Sequence, residues 1–253
     1  MLQFASIAMR LLTGLKLLYR GFSKKDEIAR FTLAEKLSEF IYPTYKFGDY
    51  GRTYLDDHSF IRDYSSMTEK GNYHTLDKKF VLDQLTQLAL SVPGDTAECG
   101  TYRGSSSFFV CRRIQGTGKH HHVFDSFEGL SAPSAADGTF WVKGALTMPE
   151  EVARKTLSPY PFVEFHRGWI PTTFESVKDR TFCFLHVDVD LFQPTLESLG
   201  FFYQRLAKGG VIIGDDYGLR TCPGARQAFD DFFKTKPEPI VHLSTGQALI
   251  IKQ

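Results

Sequence analysis

Apolar residues along this chain keep two different periods, and the change from one to the other divides it. Over residues 1–73, and again in "TLDKKFVLDQLTQLAL" (75–90), they recur at helical spacing, with turns expected at "YPTYKFGDYG". From residue 95 onward the texture becomes short apolar or β-branched runs: "DTAECG" (95–100), "HVFDSF" (122–127), "FVEFHRGW" (162–169), "FCFLHVDVD" (182–190) and "GVIIGDD" (210–216). Each ends on polar residues or glycine, as strands do. Between them lie "SSSFFVCRRIQ", "MPEEVARKTL", "PTLESLGFFYQRLAKGG" and "GARQAFDDFFKT", all with helical pattern.

Strands alternating with helices of this length predict βαβ units and a mostly parallel sheet. The Gly209-Gly210 pair is expected to close the third helix of that series as its C-cap. "EPIVHLSTG" and "QALIIKQ" have no helix between them, so the chain is expected to end in a hairpin that adds antiparallel strands to one edge. The expected organisation is an α/β domain over 74–253 preceded by a helical segment over 1–73.

Residues 1–20 sharpen the picture of that segment. At about 100° per residue, Gln3, Ser6, Arg10, Thr13, Lys16 and Arg20 fall within an arc of about 140°, which predicts an amphipathic helix. Its apolar face has two uses: packing on protein, as a lid or in a homo-oligomer, or lying on a membrane surface as a peripheral contact. Arg10 and Lys16 interrupt the run and no small-residue cleavage site follows, so neither a span nor a signal peptide is expected.

Composition narrows the function classes. At 253 residues, 42% hydrophobic and 23% charged, the chain suits one large globular core. A formal net charge of +1 argues against nucleic acid as a partner and for small molecules. Cys99, Cys111, Cys183 and Cys222 lie far apart without CxxC spacing, which reads as reduced thiols in the cytoplasm.

The candidate chemistry stands where strands end. In an open parallel sheet, ligands bind outside the carboxyl ends of the strands, at the point where strand order reverses. Asp188, Asp215 and Asp216 follow buried runs there, and three converging carboxylates repel unless a cation holds them. They are read as oxygen ligands for Mg²⁺, against the plainer reading that each caps the following helix. Asp190, two residues past Asp188, is assigned to structure. His186 reads as a buried, hydrogen-bonded core histidine, and the run His120-His121-His122 as a solvated loop.

"DTAECGTYRGSSSFFV" supplies a candidate cofactor loop: Gly100 and Gly104 permit tight turning, and the helix start at Ser105-Ser106 offers free N–H groups. It matches neither GxGxxG nor GxxxxGK[ST]. Glu98 inside the turn would oppose a pyrophosphate but suit a sulfonium, which points to S-adenosyl-L-methionine. Asp125, at the tip of the next strand in "FDSFEG", is placed to take ribose hydroxyls, or else to serve as a turn residue. Residues 131–160 form a long connection expected to act as a lid, with Phe140-Trp141 closing over the ligand.

"GDTAECGTYRGSSS", "VFDSFEGL", "FHRGWIPTT", "LHVDVDLFQPTLESLGFFYQRLAKGGVIIGDDYG" and "PGARQAFDDFF" together resemble the macrocin O-methyltransferase family, metal-dependent S-adenosylmethionine enzymes that methylate sugar hydroxyls in macrolide biosynthesis. The resemblance covers about residues 65–253. It implies a class I methyltransferase Rossmann-like sheet. It places Glu98, Gly100 and Tyr102 at the methionine end of the cofactor, Asp125 at the ribose, and Gly168 and Trp169 beside the adenine, with Ser106 and Ser126 also among the expected cofactor-binding residues. Asp188, Asp215 and Asp216 match the metal ligands. Related catechol-type enzymes carry a lysine close after the first metal aspartate, whereas here Val189-Asp190-Leu191 follows, so Asp188 becomes the candidate proton acceptor as well. The expected reaction is Mg²⁺-dependent methyl transfer to a vicinal-diol small molecule. The competing readings are a metal-dependent nucleotide-sugar or phosphate-ester hydrolase and an inactive cofactor-binding module.

Overall fold

The computed structural model describes residues 12–41, 54–67 and 76–253. The chain divides into two compact units between Ser66 and Met67, ahead of the boundary expected at 73/74.

In the first unit, residues 12–18 are helical and run into a π-helical turn, Tyr19–Ser23. Helices α1 (Glu27–Ile41) and α2 (His58–Met67) follow. Arg20 Nε donates to Asp26 Oδ2 at 2.8 Å, tying the turn to the start of α1. Leu12, Leu15, Leu18, Tyr19 and Phe22 are exposed at helical spacing. The part of the expected amphipathic helix before Leu12, and the turn expected over 42–51, lie outside the described residues. No described helix is long and apolar enough to cross a membrane.

The second unit holds α3 (Leu76–Leu88), β1 (Asp95–Cys99), α4 (Ser105–Ile114), β2 (His121–Asp125), α5 (Glu150–Leu157), β3 (Val163–Arg167) and β4 (Phe182–Val187). It continues through α6 (Phe192–Tyr203), β5 (Leu206–Gly214), α7 (Pro223–Phe233), β6 (Val241–His242) and β7 (Ala248–Ile251). The sheet order is β3-β2-β1-β4-β5-β7-β6. The first five strands pair in parallel, and β7 pairs antiparallel with both β5 and β6, which is the expected terminal hairpin. Strand order reverses between β1 and β4, and this fixes where a ligand can enter.

All six residues of β4 are buried, because β4 has strands on both sides and helices on both faces. Phenylalanine rings fill the interior on one face: Phe202 of α6 meets Phe124 (centroids 5.6 Å), Phe174 (5.0 Å) and Phe182 (4.9 Å) edge to face. Each such buried ring stabilises the fold by about 1.5–3 kcal/mol.

Two local expectations are corrected. Helix α6 ends at Tyr203, and Gly209-Gly210 lie inside β5 instead of capping it. Gly209 takes φ +83°, and its N–H donates to Lys252 O at 2.8 Å while Lys252 N–H donates to Gly210 O at 2.8 Å. Pairing with the far C-terminus therefore recruits "LAKGG" into the sheet. The histidine run is not a solvated loop either. His120 is exposed, but His121 and His122 open β2 and are fully buried on opposite faces. His121 lies between Thr96 Oγ1 (2.8 Å) and Ser107 Oγ (2.9 Å), and His122 lies against His166 (3.0 Å). Burial pushes His121 down to about 4, so it stays neutral. β2 is flanked on both sides, which buries even polar residues at its entry.

Candidate active site

A cavity of about 310 Å³ opens at the carboxyl ends of β1, β2 and β4, within the size range of small-molecule sites. Of the residues predicted to hold a cofactor, Gly100, Tyr102, Asp125, Ser126, Gly168 and Trp169 lie on its wall; Glu98 and Ser106 do not. Of the predicted metal ligands, Asp188 lines it, while Asp215 and Asp216 sit behind. Asp190, assigned to structure from the sequence, is on the wall.

The loop after β1 is shaped by contact with β4. Gly100 takes φ +83°, and a Cβ there would stand 1.9 Å from the carbonyl oxygen of Asp188, so no other residue fits. Tyr102 (φ 50°) and Asp190 (φ 59°) are left-handed without being glycine, and both face the cavity. Backbone strain of this kind collects at binding sites. Asp125 locks the arrangement: its Oδ2 accepts from the N–H groups of Thr101 and Tyr102 at 2.9 Å each, and its Oδ1 from Phe127 at 2.7 Å. A carboxylate offers about four acceptor directions, so one is left for a ligand hydroxyl.

Behind the wall runs a line of buried charges. His186 Nδ1 bonds Glu98 Oε1 at 2.8 Å and its Nε2 faces Asp215 Oδ1 at 3.4 Å. Lys78, from α3, donates to Asp215 Oδ2 at 2.8 Å and to the Asp215 carbonyl at 2.7 Å, and Gln247 Nε2 donates to Asp215 Oδ1 at 2.8 Å. Glu98 also accepts from Thr101 Oγ1 at 2.9 Å and from Ser107 Oγ. Burial alone would drive the Glu98 carboxyl up, but the His186 hydrogen bond and charge hold it at about 2. Burial likewise opposes the His186 charge, and Asp215 and Glu98 overcome it, raising His186 to about 10. Asp215 is held well below the usual carboxylate range because His186 and Lys78 outweigh its burial. Ser106 faces this layer too, accepting from the buried Lys79 ammonium.

The acids nearer the cavity behave oppositely. Burial, then the charges of Asp215 and Asp216, push the half-buried Asp188 well above the usual range. Asp216 is raised well above it by burial and by Asp190, and Asp190 is raised to about 7 by burial and by Asp188. Asp216 Oδ2 accepts from the Asp190 N–H at 2.9 Å, and Asp190 Oδ1 accepts from the Cys222 thiol at 3.3 Å. Ligating atoms of Asp190, Asp216 and Cys222 come within 4.8 Å of one another, as do those of His186, Asp188 and Asp215. The predicted trio thus divides: Asp215 is neutralised by Lys78 and His186, and Asp216 keeps company with Asp190. Crowded carboxylates that drive each other toward protonation fit a hard divalent cation.

The sequence around Asp188 does not announce Lys78, which arrives from 137 residues before Asp215. A signal existed: Lys78 precedes the fully buried Leu82 by four residues, on the same helix face. The connection 131–160 is anchored by Asp137, whose Oδ1 accepts from Phe192 N–H at 2.6 Å and whose Oδ2 accepts from Ser134 N–H at 2.6 Å and Oγ at 2.7 Å. In that connection Leu146 reaches the cavity wall, Trp141 Nε1 donates to Cys222 Sγ at 3.3 Å, and Phe140 is exposed.

Residues 66–245 match the family model described as macrocin-O-methyltransferase. The chain is 33% identical over 161 residues to the 8-demethyl-8-(2,3-dimethoxy-alpha-L-rhamnosyl)-tetracenomycin-C 4'-O-methyltransferase of Streptomyces olivaceus, covering 58% of this chain and 60% of that protein. It therefore spans about three fifths of the length of the curated relatives it matches. The fold matches the O-methyltransferase NovP with a TM-score of 0.60 and 23% identity, over 72% of this chain and 83% of that one. It also matches the S-adenosylhomocysteine-bound Podospora anserina methyltransferase PaMTH1 at 0.55 and 13%, over 87% and 95%. The sheet is that of the class I methyltransferases, and the chain belongs to the macrocin O-methyltransferase family.

Proposed function

We propose that this protein is an O-methyltransferase that uses S-adenosyl-L-methionine and Mg²⁺ to methylate a hydroxyl of a small molecule bearing a sugar or another vicinal diol. The observation that carries this reading is the meeting, on one cavity wall, of the Gly100–Tyr102 loop with the like-charged Asp188 and Asp190. The sugar-directed relative and the S-adenosylhomocysteine-bound neighbour support the cofactor and substrate class.

In this reading Asp125, braced by three backbone N–H groups, turns its remaining acceptor direction to the ribose, and Gly168 and Trp169 flank the adenine. Glu98 and Ser106 act from behind: Glu98 fixes Thr101, Ser107 and His186, and Ser106 takes the Lys79 ammonium. Asp190 and Asp216, with Asp188 beside them, would hold Mg²⁺, next to Asp215, whose charge Lys78 and His186 compensate. Bound Mg²⁺ supplies Lewis acidity that makes a neighbouring diol hydroxyl easier to ionise. As the acceptor oxygen bonds to the methyl carbon and the carbon–sulfur bond breaks in line, the hydroxyl proton passes to Asp188. Asp188 lines the cavity, where it can meet a bound hydroxyl.

The test is incubation of the protein with methyl-labelled S-adenosylmethionine, Mg²⁺ and a panel of rhamnoside-type diols. Label should appear on a sugar hydroxyl and vanish with EDTA. Calorimetry showing no binding of the cofactor would refute the reading, and full turnover in chelator would remove the metal from it.

A further inference from the structure

Outside the active site, the second histidine of the run takes part in a separate cluster. β2 and β3 pair in parallel with His122 opposite Glu164 and Phe124 opposite His166, so three side chains that can ligate a metal share one face of two neighbouring strands. His122 Nδ1 stands 3.0 Å from His166 Nε2 and 3.6 Å from Glu164 Oε2. His120 Nδ1 bonds the other Glu164 oxygen at 2.7 Å. His122 is fully buried, His166 is half-buried, and the Glu164 and His120 side chains are 38% and 46% exposed, which leaves the cluster open to solvent on one side.

The outer hydrogen bonds allow the tautomers a metal needs. Ser176 Oγ lies 2.8 Å from Thr173 O and 2.9 Å from His166 Nδ1; with its proton on Thr173 O it accepts from Nδ1–H. Asp95, an acceptor, lies 3.4 Å from His122 Nε2, so Nε2 carries the hydrogen of that ring. Asp95 Oδ1 also accepts from His120 N–H at 3.0 Å, and Arg180 Nη1 stands 3.6 Å from its Oδ2. With these tautomers the inner nitrogens, His122 Nδ1 and His166 Nε2, face each other as bare lone pairs, with a carboxylate oxygen beside them. Three acceptors so arranged can take a cation between them, and their ligating atoms lie within 4.8 Å of one another.

We propose that His122, Glu164 and His166 form a second metal site, for a borderline divalent transition ion of the Zn²⁺ kind. With metal–nitrogen bonds of about 2.0–2.1 Å, ligand atoms at two corners of a tetrahedron are about 3.3 Å apart, close to the separations seen. Each imidazole has its far nitrogen held by an outer partner, Asp95 or Ser176, as metal-bound histidines do. Two imidazoles and one carboxylate favour such an ion over the harder Mg²⁺. The ion would tie β3, the edge strand, to β2. His166 stacks on Phe124 at 4.4 Å, and Phe124, Gly168 and Trp169 line the cavity, so the tie braces one cavity wall.

The test uses the full-length protein, stripped of metal and then held in excess Mg²⁺, titrated with Co²⁺ as a visible probe. One equivalent should bind with the strong d–d bands of a four-coordinate nitrogen–oxygen site, and Zn²⁺ should displace it. His166→Gln should abolish the bands, Glu164→Gln should weaken binding at least tenfold, and Asp95→Asn by about 10–100-fold. Asp216→Asn should leave the signal intact. Zn²⁺ should raise the melting temperature of wild type and not of E164Q, a half-exposed change that folding tolerates. Absence of the bands in wild type, unchanged binding in both H166Q and E164Q, or loss of the signal in D216N with its retention in E164Q would each overturn the proposal.

Discussion

Two groups of buried charge stand side by side at the carboxyl ends of β4 and β5. In the line Glu98–His186–Asp215–Lys78, acids and bases alternate and every charge has an opposite within bonding reach. In the group Asp188–Asp190–Asp216, like charges adjoin and each raises the proton affinity of another. The first is compensated within itself. The second is unfinished on its own, and groups of that kind are where binding and proton transfer are found. Three acids that look alike in the sequence therefore stand in different electrostatic surroundings, and Lys78 makes the difference for Asp215.

Breaking the second group should cost the most activity and little stability. Asp188→Asn is expected to lower kcat by about 10²–10⁴-fold, the range for loss of a general base, while leaving the cofactor Kd near wild type; a rate within threefold of wild type would take Asp188 out of the chemistry. Breaking the first group should do the reverse. Lys78→Met leaves Asp215 buried without its ammonium, and urea unfolding should show a loss of about 3–5 kcal/mol. The double change K78M/D215N should recover part of that loss, and no recovery would mean the pair is not coupled.

Acid should distinguish the two groups next. Glu98 is held at about 2 against an ordinary 4.5, so its contribution is present above about pH 4.5 and disappears as pH falls through 2. The contribution is on the order of 3 kcal/mol, and stability of wild type should slope down across that window more steeply than stability of Glu98→Gln. Equal slopes would show that His186 does not hold Glu98. The smallest expected effect is at the cavity rim. Asp125→Ala frees three loop N–H groups and should raise the cofactor Kd by about tenfold, and an unchanged Kd would confine Asp125 to the loop.

The fold was legible because its signals are local. Alternating runs and helical stretches located five parallel strands, the helices between them and the closing hairpin, each within a few residues. Reading failed where distant pairing overrode local pattern: Gly209-Gly210 look like a helix stop until the C-terminal strand pairs with them. The histidine run looks like a loop until neighbours on both sides bury it. The site was half legible. Gly100, Asp125 and Asp188 follow from a glycine turn and acids at strand ends, but the split among the acids depends on Lys78, Gln247 and Cys222, which lie far away along the chain.

By itself the sequence determined which strands exist, which of their ends carry acid, and that the loop after β1 must contain glycine, because these depend on steric limits and on periods of two and of 3.6 residues. Tertiary structure alone decided which acid meets a base, which meets another acid, and which histidines share a face. Those outcomes rest on charges and lone pairs brought within about 4 Å across strands and helices, and interaction at that range changes sign with the partner supplied.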